Sequence, residues 1–200
     1  TCTQDVVVID GQDPSITCPA TANITTDAGL CTSTASIGTA TSSDNCGVQS
    51  TTVSNSGPYS VGTTTVTWTA TDVNGNTATC TQDVVVSDDE DPSITCPATA
   101  NITTDAGICT SSASIGTATS SDNCGVQSTT VSNSGPYSVG TTTVTWTATD
   151  VNGNTKTCTQ DVVVTDDEDP SITCPATANI ITDAGICTSS ASIGTATSSD

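Results

Sequence analysis

An all-β chain of tandem, disulfide-stapled sandwich domains arranged as an extended rod is the architecture this sequence predicts, and three observations predict it. One block repeats almost unchanged, with Asp13-Pro14, Asp91-Pro92 and Asp169-Pro170 opening successive copies. The blocks 13–90 and 91–168 differ only at Leu30/Ile108, Thr34/Ser112, Ala78/Lys156 and Ser87/Thr165. Inside each block, apolar and polar residues alternate with period two between turn signals, and no helical periodicity occurs. Each whole block also carries four cysteines. A period running from Asp13 to Asp91 is too long for a helical or leucine-rich solenoid unit and suits one small domain per period.

The elements of one repeat follow in order. "SITCPATANITT" (15–26) supplies a first, Pro-interrupted edge strand. "CTSTASIGTA" (31–40) and "GVQSTTVS" (47–54) read as two further strands with "SSDNCG" turning between them. "TTTVTWTATD" (63–72) alternates strictly, placing Val66, Trp68 and Ala70 on one face and Thr on the other. "TATCTQDVVV" (77–86) follows a turn holding Asn74-Gly75, the strongest short hairpin signal. About seven short strands in fewer than eighty residues mean an antiparallel sandwich of immunoglobulin type. The expected organisation is residues 1–9 as the last strand of a preceding repeat, 13–86 and 91–164 as whole repeats, 87–91 and 165–169 as acidic linkers, and 169–200 as a partial repeat. The chain opens and stops mid-pattern, so continuation in both directions is expected, with strand exchange between chains through 1–9 as the alternative.

Composition narrows the function. The chain carries one Lys, no Arg, no His and 21 acids, for a formal charge of −20. One cation cannot neutralise that charge internally, so spacing, salt or bound cations must relieve it. Nucleic acid and direct membrane insertion are not expected, because phosphate binding needs Lys and Arg and no apolar run approaches the ~20 residues of a span. Low hydrophobicity with high charge is a signature of disorder, but eleven cysteines and abundant Thr and Val argue for folded β-structure.

The cysteines read as staples for a thin core. No C-x-x-C spacing and no His is present, so zinc is not expected. Four cysteines allow three connectivities. First with fourth (Cys18–Cys80, Cys96–Cys158) and second with third (Cys31–Cys46, Cys109–Cys124) is favoured, because the first and last strands of such a sandwich lie side by side. Disulfides imply an oxidising, extracellular or cell-surface location.

Cys-Pro after an acidic linker, "SSDNCG", "VGTTTVTWTATD" and "VNGNTATC", in this fixed order, resemble the hyalin repeat, or HYR domain, a module of extracellular and cell-surface proteins. The resemblance spans both whole repeats and the partial ones. It implies an immunoglobulin-like fold and roles in adhesion or extracellular architecture. It also implies the Cys18–Cys80 pairing, since family members with two cysteines tend to keep those positions. Basic residues are nearly absent here, and positions that are aromatic in the family are Val, Trp or Tyr.

The acidic linkers are the candidate sites. "DVNGNTATCTQD" (72–83) begins Asp-x-Asn-x-Asn, but Gly75 at its fourth position and its strand flanks make it a hairpin, not an EF-hand. Asp72, Asn74 and Asn76 remain oxygen donors. In the expected fold the turn 41–47 and the hairpin 72–76 lie at the pole where the preceding linker arrives. Asp88, Asp89, Glu90 and Asp91 should therefore approach Asp122, Asn123, Asp150, Asn152 and Asn154. Asp10 and Asp13 should likewise approach Asp44, Asp72 and Asn74, with fewer linker charges and weaker binding. Asp166, Asp167 and Asp169 repeat the linker, while Asp27 and Asp105 face the next linker from the opposite pole. Six or more hard oxygens at a junction suit calcium; the competing reading is a solvated acidic spacer. Asn23 and Asn101 begin glycosylation sequons, lost in the third copy at Asn179-Ile180-Ile181.

No His, no lone nucleophilic Cys and no Ser elbow is present, and the acids cluster at poles and not in an apolar cleft, so catalysis is not expected. The expected function is architectural: the repetitive shaft of a surface adhesin or the protomer of an extracellular fibre, with calcium stiffening the junctions and copies of itself as partners. The alternative is an adhesion module that binds surface glycans or a receptor, for which Tyr59 and Tyr137 are the only aromatics near a turn.

Overall fold

The computed structural model describes residues 1–199, and every regular element among them is a β-strand. The first repeat contains β1 (Ser15–Thr17), β2 (Ala22–Thr25), β3 (Thr32–Ser33), β4 (Thr41–Ser43), β5 (Val48–Val53), β6 (Tyr59–Ser60), β7 (Gly62–Asp72) and β8 (Thr77–Ser87). The second repeats them as β9 (Ser93–Thr95), β10 (Ala100–Thr103), β11 (Thr110–Ser111), β12 (Thr119–Ser121), β13 (Val126–Val131), β14 (Tyr137–Ser138), β15 (Gly140–Asp150) and β16 (Thr155–Thr165). β17 (Ser171–Thr173) and β18 (Thr197–Ser199) belong to the partial third copy.

One layer of each sandwich is a four-stranded sheet, ordered β2-β8-β7-β5 and β10-β16-β15-β13. The short ladders β1-β4 and β3-β6, with their counterparts β9-β12 and β11-β14, supply the facing strands. The period-two pattern of β7 and β8 positions them: Val66, Trp68, Val84 and Val86 are buried with Tyr59, and Ile16, Ile24, Ile37 and Val53 pack against them. A hairpin joins β7 to β8, with register from Gly62↔Val86 to Thr71↔Thr77. Gly75 takes φ +98° in its turn, a conformation that favours glycine.

One pairing differs from expectation. The segment 15–26 is not one strand, because the chain changes layer at Cys18-Pro19: β1 runs antiparallel to β4, while β2 joins the other sheet parallel to β8, Ala22↔Val84 to Thr25↔Ser87. Residues 1–8 have the same sequence as 79–86 yet form no strand, and Val6, Val7 and Val8 are about four-fifths exposed or more. In β8 that sequence lies between β2 and β7, whose backbones complete its hydrogen bonds.

The disulfides correct half of the expected connectivity. Cys18 bonds to Cys80 and Cys96 to Cys158, each across 62 residues, tying β1 and β9 to the long strands. Cys31 does not bond to Cys46, nor Cys109 to Cys124; Cys31 bonds to Cys124 in the next repeat, 93 residues away. Cys46 and Cys109 are exposed free thiols. The reason is the length of β8. Its eleven residues span roughly 35 Å and separate the pole of Cys46, at the 72–76 hairpin, from the pole of Cys31, where Thr26 N–H donates to the Ser87 carbonyl. The second and third cysteines of one repeat therefore sit at opposite ends.

Compactness does not follow the repeat boundary. Residues Thr1–Thr95 form one compact unit together with Thr119–Thr130 and Thr147–Thr157, the near-pole turns of the second repeat.

A candidate cation site at the repeat junction

Asp88 leaves the end of β8 and is 8% exposed; Asp122 opens the turn after β12; Asp150 is the last residue of β15 and fully buried. One carboxylate oxygen from each lies within 4.8 Å of the others. Two oxygens bound to one calcium at 2.3–2.6 Å are at most about 5 Å apart, so this spacing fits a shared ion.

Hydrogen bonds place each carboxylate without exhausting it. Asp150 Oδ1 accepts from the backbone N–H groups of Asn152 (2.9 Å), Gly153 (2.6 Å) and Asn154 (2.8 Å), and Oδ2 accepts from Asn154 Nδ2 (2.8 Å). Burial pushes its pKa up, but the Asn154 side chain and these N–H groups outweigh it and hold the carboxyl below the ordinary range. Asp122 Oδ2 accepts from Cys124 N–H (2.8 Å) and Gly125 N–H (3.1 Å). Asp88 Oδ1 accepts from Thr26 Oγ1 (3.2 Å), Asn123 Nδ2 (3.2 Å) and Glu90 N–H (3.3 Å), and its carbonyl from Asn154 Nδ2 (3.2 Å).

Three buried oxygens remain with no donor: Asp88 Oδ2, Asp122 Oδ1 and Asn123 Oδ1. Such groups cost free energy unless something satisfies them. All three are acceptors, two carry charge, and Lys156 is engaged 3.3 Å from Asp91 on the exposed surface. A hard cation satisfies an all-oxygen set of this kind.

The first junction repeats part of the arrangement. Asp10, Asp44 and Cys46 each offer an atom within 4.8 Å of the others, and Asp10 Oδ2 and Asp44 Oδ1 are buried without partners. Asp72 accepts from Asn74 N–H, Asn76 N–H and Asn76 Nδ2, and Asn76 Nδ2 also donates to the Asp10 carbonyl at 3.3 Å. Burial pushes the Asp72 carboxyl up, but these bonds outweigh it and hold it below its usual range. The Cys46 thiol is pushed up by its hydrogen bond to Asp10, by burial, and by the charges of Asp10, Asp44 and Asp72.

The other expected ligands stand elsewhere. Asp89 and Asp13 are exposed, Glu90 accepts from Gly29 N–H (2.9 Å), and Asp91 pairs with Lys156. Asn74 and Asn152 are exposed and contribute backbone N–H groups instead of side-chain oxygens. Asp166 accepts from Thr104 Oγ1 (3.4 Å), and Asp167 and Asp169 are exposed. Asp27 is occupied by Thr34, through N–H (2.9 Å) and Oγ1 (2.7 Å). Asn23 and Asn101 are exposed on β2 and β10. Tyr59 and Tyr137 are 2% exposed and donate inward to Asn55 and Asn133 carbonyls, and both Trp are buried, so among the described residues no aromatic ring is presented for glycan stacking. Sequence reasoning missed Thr26 and Leu30, whose contacts to Asp88 and Asn123 close the site from the preceding repeat; the acidic "TDAG" turn facing the linker was the signal for them.

The HYR domain family model matches residues 9–86 and again 87–164. Solved structures similar to the chain include Drosophila N-cadherin EC1-4, at 15% identity and TM-score 0.43, over 77% of this chain and 50% of that one. The protocadherin gammaB7 EC3-6 cis-dimer matches at 16% identity and TM-score 0.40, over 84% and 55%. The fibronectin(III)-like modules of Clostridium thermocellum CbhA match at 15% identity and TM-score 0.30, over 76% and 94%. The chain thus spans about half the length of the cadherin structures it matches. No curated protein matches the sequence.

Proposed function

The chain belongs to the HYR domain family, and from that premise we propose that it is a structural extracellular protein whose repeat junctions bind calcium and are stiffened by it. It serves as the repetitive shaft of a surface adhesin or as the protomer of an extracellular fibre, with copies of itself as neighbours. The observation that carries this reading is the trio of buried, donor-less oxygens at Asp88, Asp122 and Asn123 beside the buried Asp150.

Their origin makes the ion a joint. Asp88 comes from the linker, Asp122 and Asn123 from the turn between β12 and β13, and Asp150 from the β15–β16 hairpin. An ion held by all of them fixes the linker to two loops of the following repeat. Without it, each pair of carboxylates a few ångström apart repels by about 1 kcal/mol in water-like dielectric, and several times more at an effective dielectric of about 20. Calcium fits better than magnesium, because four protein oxygens from three separate segments suit its loose geometry.

Calorimetric calcium titration of the whole chain, with melting followed in calcium and in chelator, tests the reading. Calcium at a hundred times its dissociation constant should add about 2.7 kcal/mol to the junction, and magnesium far less. An unchanged melting temperature at millimolar calcium, with no heat of binding, would leave the acids as solvated spacers.

A further inference from the structure

A covalent bond, Cys31–Cys124, crosses the junction at Asp88, and it is poorly placed to bear load. Cys18–Cys80 and Cys96–Cys158 leave the segment from Cys80 to Cys96 as the short covalent route between repeats. The route through Cys31–Cys124 takes in the chain from Cys18 to Cys31 and then from Cys124 back to Cys96, a longer path. Under tension the longer route stays slack, so this disulfide does not limit extension.

Its local effect is visible in the turn 120–128, where Cys124 is bonded to Cys31 and Leu30 comes with it. The Leu30 carbonyl accepts from Asn123 Nδ2 at 3.1 Å, and the same amide donates to Asp88 Oδ1 at 3.2 Å. Asn123 is thereby half-buried, and its Oδ1 becomes one of the three donor-less oxygens.

We propose that the Cys31–Cys124 disulfide is a positioning element that holds Asn123 in the Asp88 cation site, making that site a tighter calcium site than it would be with the same carboxylates alone. The proposal rests on the calcium reading of the junction for its affinity claim, but the placement of Asn123 is independent of any ion.

The test uses the full chain and three variants: Cys31→Ser with Cys124→Ser, Asn123→Ala with the disulfide intact, and all three together. Calcium calorimetry should show about tenfold weaker binding in the first two, the scale on which supporting shells tune metal sites, with no further loss in the third. Proton exchange of the Asn123 side-chain amide, followed by NMR without calcium, should accelerate in the disulfide variant. Unchanged affinity in a disulfide variant that keeps Cys18–Cys80 and Cys96–Cys158, or losses that simply add, would overturn the proposal. An Asn123 amide equally protected with and without the disulfide overturns the positioning itself, whatever calcium does. An unaltered chain that takes up no calcium overturns the metal reading and the affinity claim together, and the amide exchange then still reports whether the clamp exists. The Asn123→Ala chain keeps all three disulfides, so the affinity test survives if the serine variant folds poorly.

Discussion

Asp88 is the residue on which the junction turns. It is nearly buried, has one oxygen held by three donors and one by none, and faces Asp122 and Asp150 with oxygens within 4.8 Å. Removing its charge should therefore have opposite effects with and without the ion. Asp88→Asn relieves about 1 kcal/mol of repulsion in the metal-free chain and should raise its melting temperature by roughly 2–4 °C. In calcium the same variant should lose most of the ion's stabilisation, so the two melting curves cross; a variant that melts lower in both conditions would place Asp88 in packing alone. At this scale the carboxylates were legible in the sequence, because the acidic run and the Asp-Asn turns recur at one interval. The first-to-fourth disulfides were legible as well, but the partner of Cys31 was not. Cys46 and Cys124 hold the same position in successive repeats, so spacing from Cys31 cannot tell a bond within a repeat from one to the next. Only the placement of the "TDAG" turn at the far pole decides it.

At the scale of the element, β7 and β8 were readable almost to their ends, since strict alternation and Asn74-Gly75 specify both strands and their turn. The two-residue strands β3 and β6 and the parallel β2–β8 pairing were not, because they depend on which backbone lies alongside and not on local pattern. Gln82 was also silent in the sequence. It is buried on β8, its Oε1 accepts from Trp68 Nε1 (2.9 Å), and its Nε2 donates to the carbonyls of Ala20 (2.9 Å) and Ile37 (2.8 Å). One side chain thus stitches β7 to two loops of the facing layer. Gln82→Ala strands an indole N–H and two carbonyls and should cost about 3 kcal/mol in the first repeat. Urea unfolding should split into two transitions, with the second repeat holding the higher midpoint; a single unshifted transition would show that water replaces the amide freely.

For the whole molecule, the first-to-fourth disulfides set how far the chain can be drawn out. Each joins cysteines 62 residues apart and leaves only the segment from Cys80 to Cys96 to extend between them. Pulled from its ends, an oxidised repeat should release at most roughly 55 Å of chain, against roughly 270 Å after reduction, at about 3.5 Å per residue. Equal release before and after reduction would contradict this pairing.

Small-angle scattering of the full chain across a calcium titration tests calcium stiffening of the junctions most directly. Flexibility between repeats should fall and the maximum dimension settle to one value as calcium fills the Asp88 site, with chelator reversing both. Scattering curves that superimpose from chelator to millimolar calcium would contradict it.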